Sequence, residues 1–379
     1  MEFGIFVQGY APGEKAHDSE AEHAAIHDEA AYARVADENN WKYCWVTEHH
    51  GLTEYSHISA NDVYLGFLAA QTKNIHIGSG IFNLSPRANH PVRNAERAAM
   101  LDHLSNRRFE FGTGRGAGSH EVGTFNIDDT SSTKSEWDEV APQLIRMFKE
   151  KDYTFQGEHF QMDKPHNILP KPYRGTHPAM WMACGNPATY AKAGSLGLGA
   201  LGFNFSSVSQ MKPQIDAYKE AAETCTNPMG EYQNNNVMIT NAVICFKDRE
   251  RAIASACQPN RSYLTSLVGL YHDTFPKPDG FPVWPEKPMQ MTREMAEMAM
   301  ANGDMLCGTP EDICEQLSKG YANVGFDQLV FGMPNHLSKE ETLECIELFG
   351  KEVIPNFDKD PVHRTTRFRE EAESRLAAA

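Results

Sequence analysis

The sequence predicts an α/β fold closed as a (β/α)8 barrel of the TIM type with insertions, and three observations lead there. Eight strand-like runs recur along the 379 residues. Helix-like stretches lie between them, and that alternation makes βα units and a parallel sheet. Polar and glycine-rich residues collect where several runs end, which is where a barrel of this kind carries its chemistry. The chain exceeds the usual length of about 250 residues, which leaves room for insertions.

The elements follow in order. MEFGIFVQ opens the chain and the helical pattern EAAYARVADENN comes after it. KYCWVTEH near Tyr43 is the second run, and NIHIGSGIFNL near Ile77 the third, followed by AERAAMLDHLS. RFEFGTGRG near Phe109 is the fourth, followed by EVAPQLIRMFKE. AMWMACG near Trp181 is the fifth, with ATYAKAGSLG behind it. ALGFNF near Phe203 precedes QMKPQIDAYKEAAE, VMITNAVICF lies near Ile239, and PEDICEQLSKGYANVG leads into FDQLVFGM near Leu329. Residues 1–357 are therefore expected to form a single barrel domain. Two long connections, 116–137 and 258–303, hold the extra length. The second contains PKPDGFPVWPEKP, and proline at that density sustains neither helix nor strand. It is either a lid or substrate-side wall, or a surface insertion. Residues 358–379 form a charged tail, expected to be an exposed helix that packs on a partner subunit and carries no chemistry.

Bulk properties narrow the function. Hydrophobic residues make up 41% and charged residues 23%, a soluble globular balance. A net charge of −16 suits neither the phosphates of nucleic acid nor anionic lipid. No window reaches the run of about 18 apolar residues needed to span a membrane. The start MEFGIFVQGY lacks the basic region and cleavage site of a signal peptide. The eight cysteines are scattered, without CxxC or ligand-like spacing, so reduced thiols, a cytoplasmic location and no metal site are expected.

Three rim segments carry the candidate chemistry. VTEHHGLTEYS follows the second strand and puts Glu48, His49 and His50 at the mouth. FGTGRGAGSHE follows the fourth, with Arg115 among glycines that leave the backbone open to a ligand. Arg115 either grips a phosphate bidentately or pairs with a loop carboxylate. No GK[ST] follows and the GxGxxG spacing is absent, so neither nucleotide-loop signature applies. ACGNPATYAKAG follows the fifth strand, with Asn186 as N-cap and Pro187 in the first turn. Its amides either bind a phosphate or only cap the helix. Arg115 on the adjacent strand adds weight to the phosphate reading.

These segments carry a family resemblance. MEFGIF, WVTEHHGLTEYS, LAAQTKNIHIGSGI, NHPVRNAERAAMLDHLSNRRFEFGTGRG, ACGNPATYAKAGSLGLG, CGTPEDICEQL and GFDQLVFG make the chain resemble the bacterial luciferase-like, flavin-dependent monooxygenase superfamily, from Met1 to about Pro355. The resemblance implies a barrel that binds reduced FMN (FMNH2) and uses O2, through a C4a-(hydro)peroxyflavin, to oxygenate an organic substrate. A separate NAD(P)H:flavin reductase would supply the FMNH2. His49 matches the catalytic histidine, and an imidazole with a pKa of about 6.5 can give or take a proton at neutral pH. His50 is read as structural, bonding Glu48 or Glu54. Arg115 matches the arginine of the FMN phosphate, and Gly185, Asn186 and Thr189 fall in the phosphate-binding turn. Ser79 and Gly80 match a strand end that often holds a non-prolyl cis peptide under the flavin, expected at Ser79–Gly80 or Gly80–Ile81. Asn83 would bond the pyrimidine end of the ring, and Glu121 would lie on the substrate side.

The chain also departs from luciferase. Cys184-Gly185 stands where the luciferase α chain has Glu-Ser, and Cys184 is read as a packed thiol. Ala117-Gly118-Ser119-His120 replaces an aromatic and charged segment, so light emission is not expected. The implied substrate is a mostly apolar aldehyde, ketone or hydrocarbon, because Phe275, Phe281, Trp284, Met289 and Met291 would make an apolar lid. The resemblance also suggests a homodimer or a heterodimer with a paralogue. Two alternatives remain: hydride transfer with the deazaflavin F420 on the same fold, and a flavin-binding protein without turnover.

Overall fold

The computed structural model describes residues 1–116, 118–203, 207–259 and 290–378. The barrel strands are β1 Glu2–Val7, β2 Tyr43–Val46, β3 His76–Ser79, β4 Phe109–Gly114, β5 Ala179–Cys184, β6 Gly199–Gly202, β7 Val237–Asn241 and β8 Gln328–Gly332. Seven lie inside the runs read from the sequence, and β6 begins one residue before its run ALGFNF. Each pairs in parallel with the next, and β1 pairs with both β2 and β8, which closes the ring. Among the described residues no helix is long and apolar enough to cross a membrane.

Strand alternation sorts the core into two layers. Along β2, Tyr43 and Trp45 face the lumen while Cys44 and Val46 face the helices. Trp45 meets Trp181 of β5 edge to face, with ring centroids 5.1 Å apart at 83°. Glycines make room for both indoles. A Cβ at Gly78 would lie 2.3 Å from the Trp45 ring, and one at Gly199 would lie 2.3 Å from the Trp181 ring. With Phe6, Leu201, Met238 and Val330, these side chains fill the lumen.

Two predicted strands are divided. The run 74–84 ends its barrel pairing at Ser79, and Phe82–Asn83 forms a separate short strand beside Thr113 and Gly114. The run 237–246 leaves the barrel after Asn241, and Val243–Cys245 pairs with Leu306–Gly308 outside it. A barrel strand can stay in register with both neighbours for only part of such a run, so the remainder finds other partners. The connection 258–303 also contains regular structure. Its last part is the helix Arg293–Asn302, ended by Gly303 at φ 77°. Phe275, Phe281, Trp284 and Met289 of the expected lid lie outside the described residues, and Met291 is half-buried.

The tail differs from expectation. The helix Arg364–Ala378 lies across the N-terminal ends of the strands, with Thr365, Arg369 and Ala372 buried. Arg369 donates to both oxygens of Asp102, at 2.7 and 2.8 Å, and also to the carbonyl of Thr176. Thr365 donates to Glu110 at 2.5 Å. His363, just before the helix, stacks on His76 with centroids 3.7 Å apart. Burial raises the Glu110 carboxyl to about 8, lowers His363 to about 2 and lowers His76 well below the usual imidazole value. His76 Nδ1 lies 2.7 Å from Glu110 Oε1, and burial works against the charged form of both groups. Periodicity alone gives no sign of this floor, because its partners are far apart in sequence.

Candidate active site at the barrel mouth

β2 ends at Val46, and the chain from Thr47 to Ser56 folds back over the mouth, tied by a 2.7 Å hydroxyl contact between Thr47 and Ser56. The connection after β4 begins with a short helix, Ser119–Gly123. Two contacts clasp these loops together. His49 Nδ1 is 2.8 Å from Glu121 Oε2, and His120 Nε2 is 2.8 Å from the carbonyl of Gly51. Glu121 is buried, and the His49 side chain is 11% exposed, so the pair sits at the rim with one end shielded. The His49 ring also lies 4.9 Å from that of Tyr55. The Glu121 carboxylate accepts the Nδ1 proton, which leaves Nε2 as the nitrogen able to accept or deliver one.

Glu48 does work that the sequence did not reveal. Its Oε1 accepts from the amide of Asn83 at 3.2 Å and from Asn89 Nδ2 at 3.0 Å, and lies 3.2 Å from His50 Nε2. One carboxylate thus ties the loop after β2 to the loop after β3. The signal was available: an acid directly after a fully buried strand must find partners. Burial opposes the charged form of His50, but the hydrogen bond and charge of Glu48, with Glu121 behind it, more than offset that, so His50 sits above the usual imidazole value. Of the two partners read for His50, Glu48 and Glu54, the structure gives Glu48.

The predicted cofactor residues divide into groups. Asn83 is buried, and its side-chain nitrogen has no hydrogen-bond partner among the described residues. It faces Gly116, whose φ of 90° favours glycine; a Cβ there would lie 3.3 Å from that nitrogen. Arg115 is half-buried and donates through Nη1 to the carbonyl of Thr130 at 3.0 Å and to Thr133 Oγ1 at 3.1 Å. Burial lowers its pKa, yet a guanidinium stays charged at neutral pH. Thr113 pairs with Met182 in register, so Arg115 and the turn from Gly185 leave the barrel at the same height on adjacent strands. That turn is internally capped. Thr189 Oγ1 accepts the amides of Gly185 and Asn186, both at 3.2 Å, and Asn186 Oδ1 accepts the amide of Thr189 at 3.1 Å. Pro187 offers no amide, so few of the expected donors are free.

Two expectations at β3 are corrected. Among the described residues the cis peptide is Leu169–Pro170, so Ser79–Gly80 and Gly80–Ile81 are trans. A non-prolyl cis bond costs about 3 kcal/mol, and here the Gly80 amide instead reaches the Val46 carbonyl at 2.5 Å. The Ser79 hydroxyl is buried and donates to the Gly112 carbonyl at 2.9 Å, so it joins β3 to β4 and does not face the mouth. Cys184 is a packed thiol, as read: burial raises it to about 12, and Sγ lies 3.3 Å from the Met182 carbonyl.

Comparisons with known proteins agree with this architecture. The luciferase-like monooxygenase family model matches residues 1–328. The oxygenase component of a flavin-dependent trigonelline monooxygenase from Acinetobacter baylyi is 23% identical over 373 residues, covering 96% of this chain and 98% of that protein. The oxygenating constituent of 3,6-diketocamphane monooxygenase from Pseudomonas putida, solved with FMN, superposes with a TM-score of 0.73 at 18% identity, covering 94% of this chain and 98% of that one. The coenzyme F420-dependent tetrahydromethanopterin reductase of Methanopyrus kandleri superposes at 0.62 with 19% identity, covering 94% and 99%. The barrel, the rim chemistry and a family match over most of the chain agree, and the chain belongs to the luciferase-like monooxygenase family.

Proposed function

We propose that this enzyme is the oxygenase of a two-component system, taking FMNH2 from a separate NAD(P)H:flavin reductase and oxygenating a mostly apolar aldehyde, ketone or hydrocarbon with O2. The observation that carries the reading is the His49–Glu121 pair, clasped over a mouth that Arg115 also borders. The residues suit a flavin. Arg115 offers a fixed cation for a phosphate, and the unpartnered Asn83 amide offers a donor to a ring edge. Bound reduced flavin supplies the electrons and the oxygen activation. The protein's own part is to orient the ring through Asn83, to hold the phosphate through Arg115 and to move a proton at His49 Nε2. The turn at Gly185, Asn186 and Thr189 is a secondary phosphate contact, since its capping bonds would have to open. Glu121 acts through His49 as a positioning residue.

The Methanopyrus relative supports a second reading, hydride transfer with F420. Anaerobic titration with photoreduced FMN and, separately, reduced F420, followed by a pulse of oxygen, distinguishes the two. The expected result is saturable binding of FMNH2 followed by an oxygen-dependent absorbance transient, with no NAD(P)H oxidation by this chain alone. Binding of F420 only, with no response to oxygen, would transfer the enzyme to the hydride-transfer branch.

Arg115→Ala is expected to weaken FMNH2 binding by about 1.5–3 kcal/mol, the range for a hydrogen bond to a charged group. Unchanged binding in the same titration would remove the phosphate role. A homodimer is also part of the proposal. Val63, Phe67, Met100 and Leu104 are 70, 39, 47 and 58% exposed on the neighbouring helices Asn61–Gln71 and Pro91–Leu104, and large apolar side chains left exposed on two adjacent helices are what a subunit contact would cover. Sedimentation equilibrium should give twice the chain mass, and Phe67→Glu should shift it toward the monomer. A monomeric parent protein would refute the dimer.

A further inference from the structure

Glu48 Oε2 and Asn83 Nδ2, at the mouth, are buried side-chain atoms with no hydrogen-bond partner among the described residues. Glu48 is 2% exposed and Asn83 is fully buried. A buried acceptor or donor left unsatisfied is costly, more so where the group is charged. Atoms of this kind, at the end of the barrel that carries its chemistry, point to a ligand that completes them.

The donors around Glu48 are unevenly shared. Oε1 accepts from the Asn83 amide and from Asn89 Nδ2 and lies 3.2 Å from His50 Nε2, while Oε2 takes none. Each of those groups is itself placed. The Asn83 amide belongs to the short strand beside Gly114, Asn89 Nδ2 also reaches the Asn83 carbonyl at 3.3 Å, and His50 packs on Phe125 with centroids 4.9 Å apart. The Asn83 side chain is fixed as well. Its Oδ1 accepts the Ser85 amide at 3.0 Å, and its carbonyl accepts from Asn94 Nδ2 at 3.1 Å. An amide whose oxygen is committed presents its nitrogen as a donor. The lack of a Cβ at Gly116 leaves room beside that nitrogen.

The class of ligand follows from the pair. One acceptor and one donor, linked through the Asn83 amide, match a group with an N–H next to a C=O. A cation would leave the Asn83 N–H unanswered, and a carboxylate or ketone would leave Glu48 Oε2 unanswered. A cyclic imide answers both. The pyrimidine ring of FMN has such an edge, and so has that of F420.

We infer that Glu48 is a cofactor-binding residue, its Oε2 accepting the imide N–H of the flavin while Asn83 Nδ2 donates to the neighbouring ring carbonyl. The inference rests on the flavin reading and deepens it, and it holds for FMN and F420 alike.

Anaerobic titration of the full chain with FMNH2 and with reduced 3-methyl-FMN, in which a methyl group replaces the imide hydrogen, tests it by affinity alone. The methylated flavin is expected to bind about tenfold or more weakly, the equivalent of one hydrogen bond to a charged group. Glu48→Gln supplies the comparison. Its oxygen can keep the donors of Oε1, which sets an N–H where Oε2 stood. FMNH2 should lose about tenfold in affinity there, while the methylated flavin binds variant and parent alike. The bulk of the methyl group cancels between the two proteins. Equal affinity of the parent protein for both flavins, a result that needs no variant, would overturn the inference. So would an unchanged ratio of the two affinities in Glu48→Gln, the outcome of a purely structural role. If reduced F420 binds and FMNH2 does not, Glu48→Gln should weaken F420 by the same factor, and unchanged affinity overturns the inference. Binding of neither cofactor would overturn the flavin reading itself, and this inference with it.

Discussion

His49→Ala is expected to lower turnover by about 10²–10⁴-fold, the range for loss of a positioned acid or base, while FMNH2 binding stays near that of the parent protein. The expectation rests on division of labour at the rim. In the proposed function Arg115 and Asn83 hold the cofactor, whereas His49 bonds to Glu121 and presents a second ring nitrogen. Losing the imidazole removes proton transfer without removing a binding contact. Glu121→Gln is the informative companion. It keeps the shape of the pair but loses the charge that selects the Nδ1–H tautomer, so it should displace the pH profile of turnover as well as lower the rate. Single-turnover kinetics with preloaded cofactor would show both effects. A His49→Ala enzyme that turned over like the parent would end the assignment.

Arg369→Ala is expected to destabilise the fold by about 3–5 kcal/mol, the range for stranding one half of a buried ion pair. Asp102 has no exposure and takes two hydrogen bonds from Arg369. It would keep only the amide of Tyr173, at 2.8 Å, which does not neutralise a buried charge. Replacing both partners, as in Arg369→Met with Asp102→Leu, should restore part of the loss, because a pair of similar apolar bulk needs no counter-charge. Urea unfolding curves of the three variants measure this. A loss under about 1 kcal/mol, the size of a surface ion pair, would mean that the tail helix does not lock the floor.

The barrel was legible because each strand is a short apolar run bounded by turn residues, a pattern that depends only on neighbours in sequence. KYCWVTEH shows the limit of that reading. It placed His49 at the mouth but could not show that Glu48 faces Asn83 and Asn89, because that contact spans two loops. The tail was misjudged for a related reason. RTTRFREEAESRLAAA is mostly charged, and nothing local indicates that Arg369 will find Asp102 more than 260 residues away. The turn at Gly185, Asn186 and Thr189 was singled out as a phosphate site by its N-cap, but the same cap uses amides that a phosphate would need.

The packed lumen closes one route through the molecule. Trp45, Trp181 and Tyr43 are fully buried in the stack beneath the mouth, and the tail helix lies across the far end. The lumen beneath the mouth therefore offers a small molecule no passage through the barrel, and anything held at the mouth must come and go on the side where the strands end.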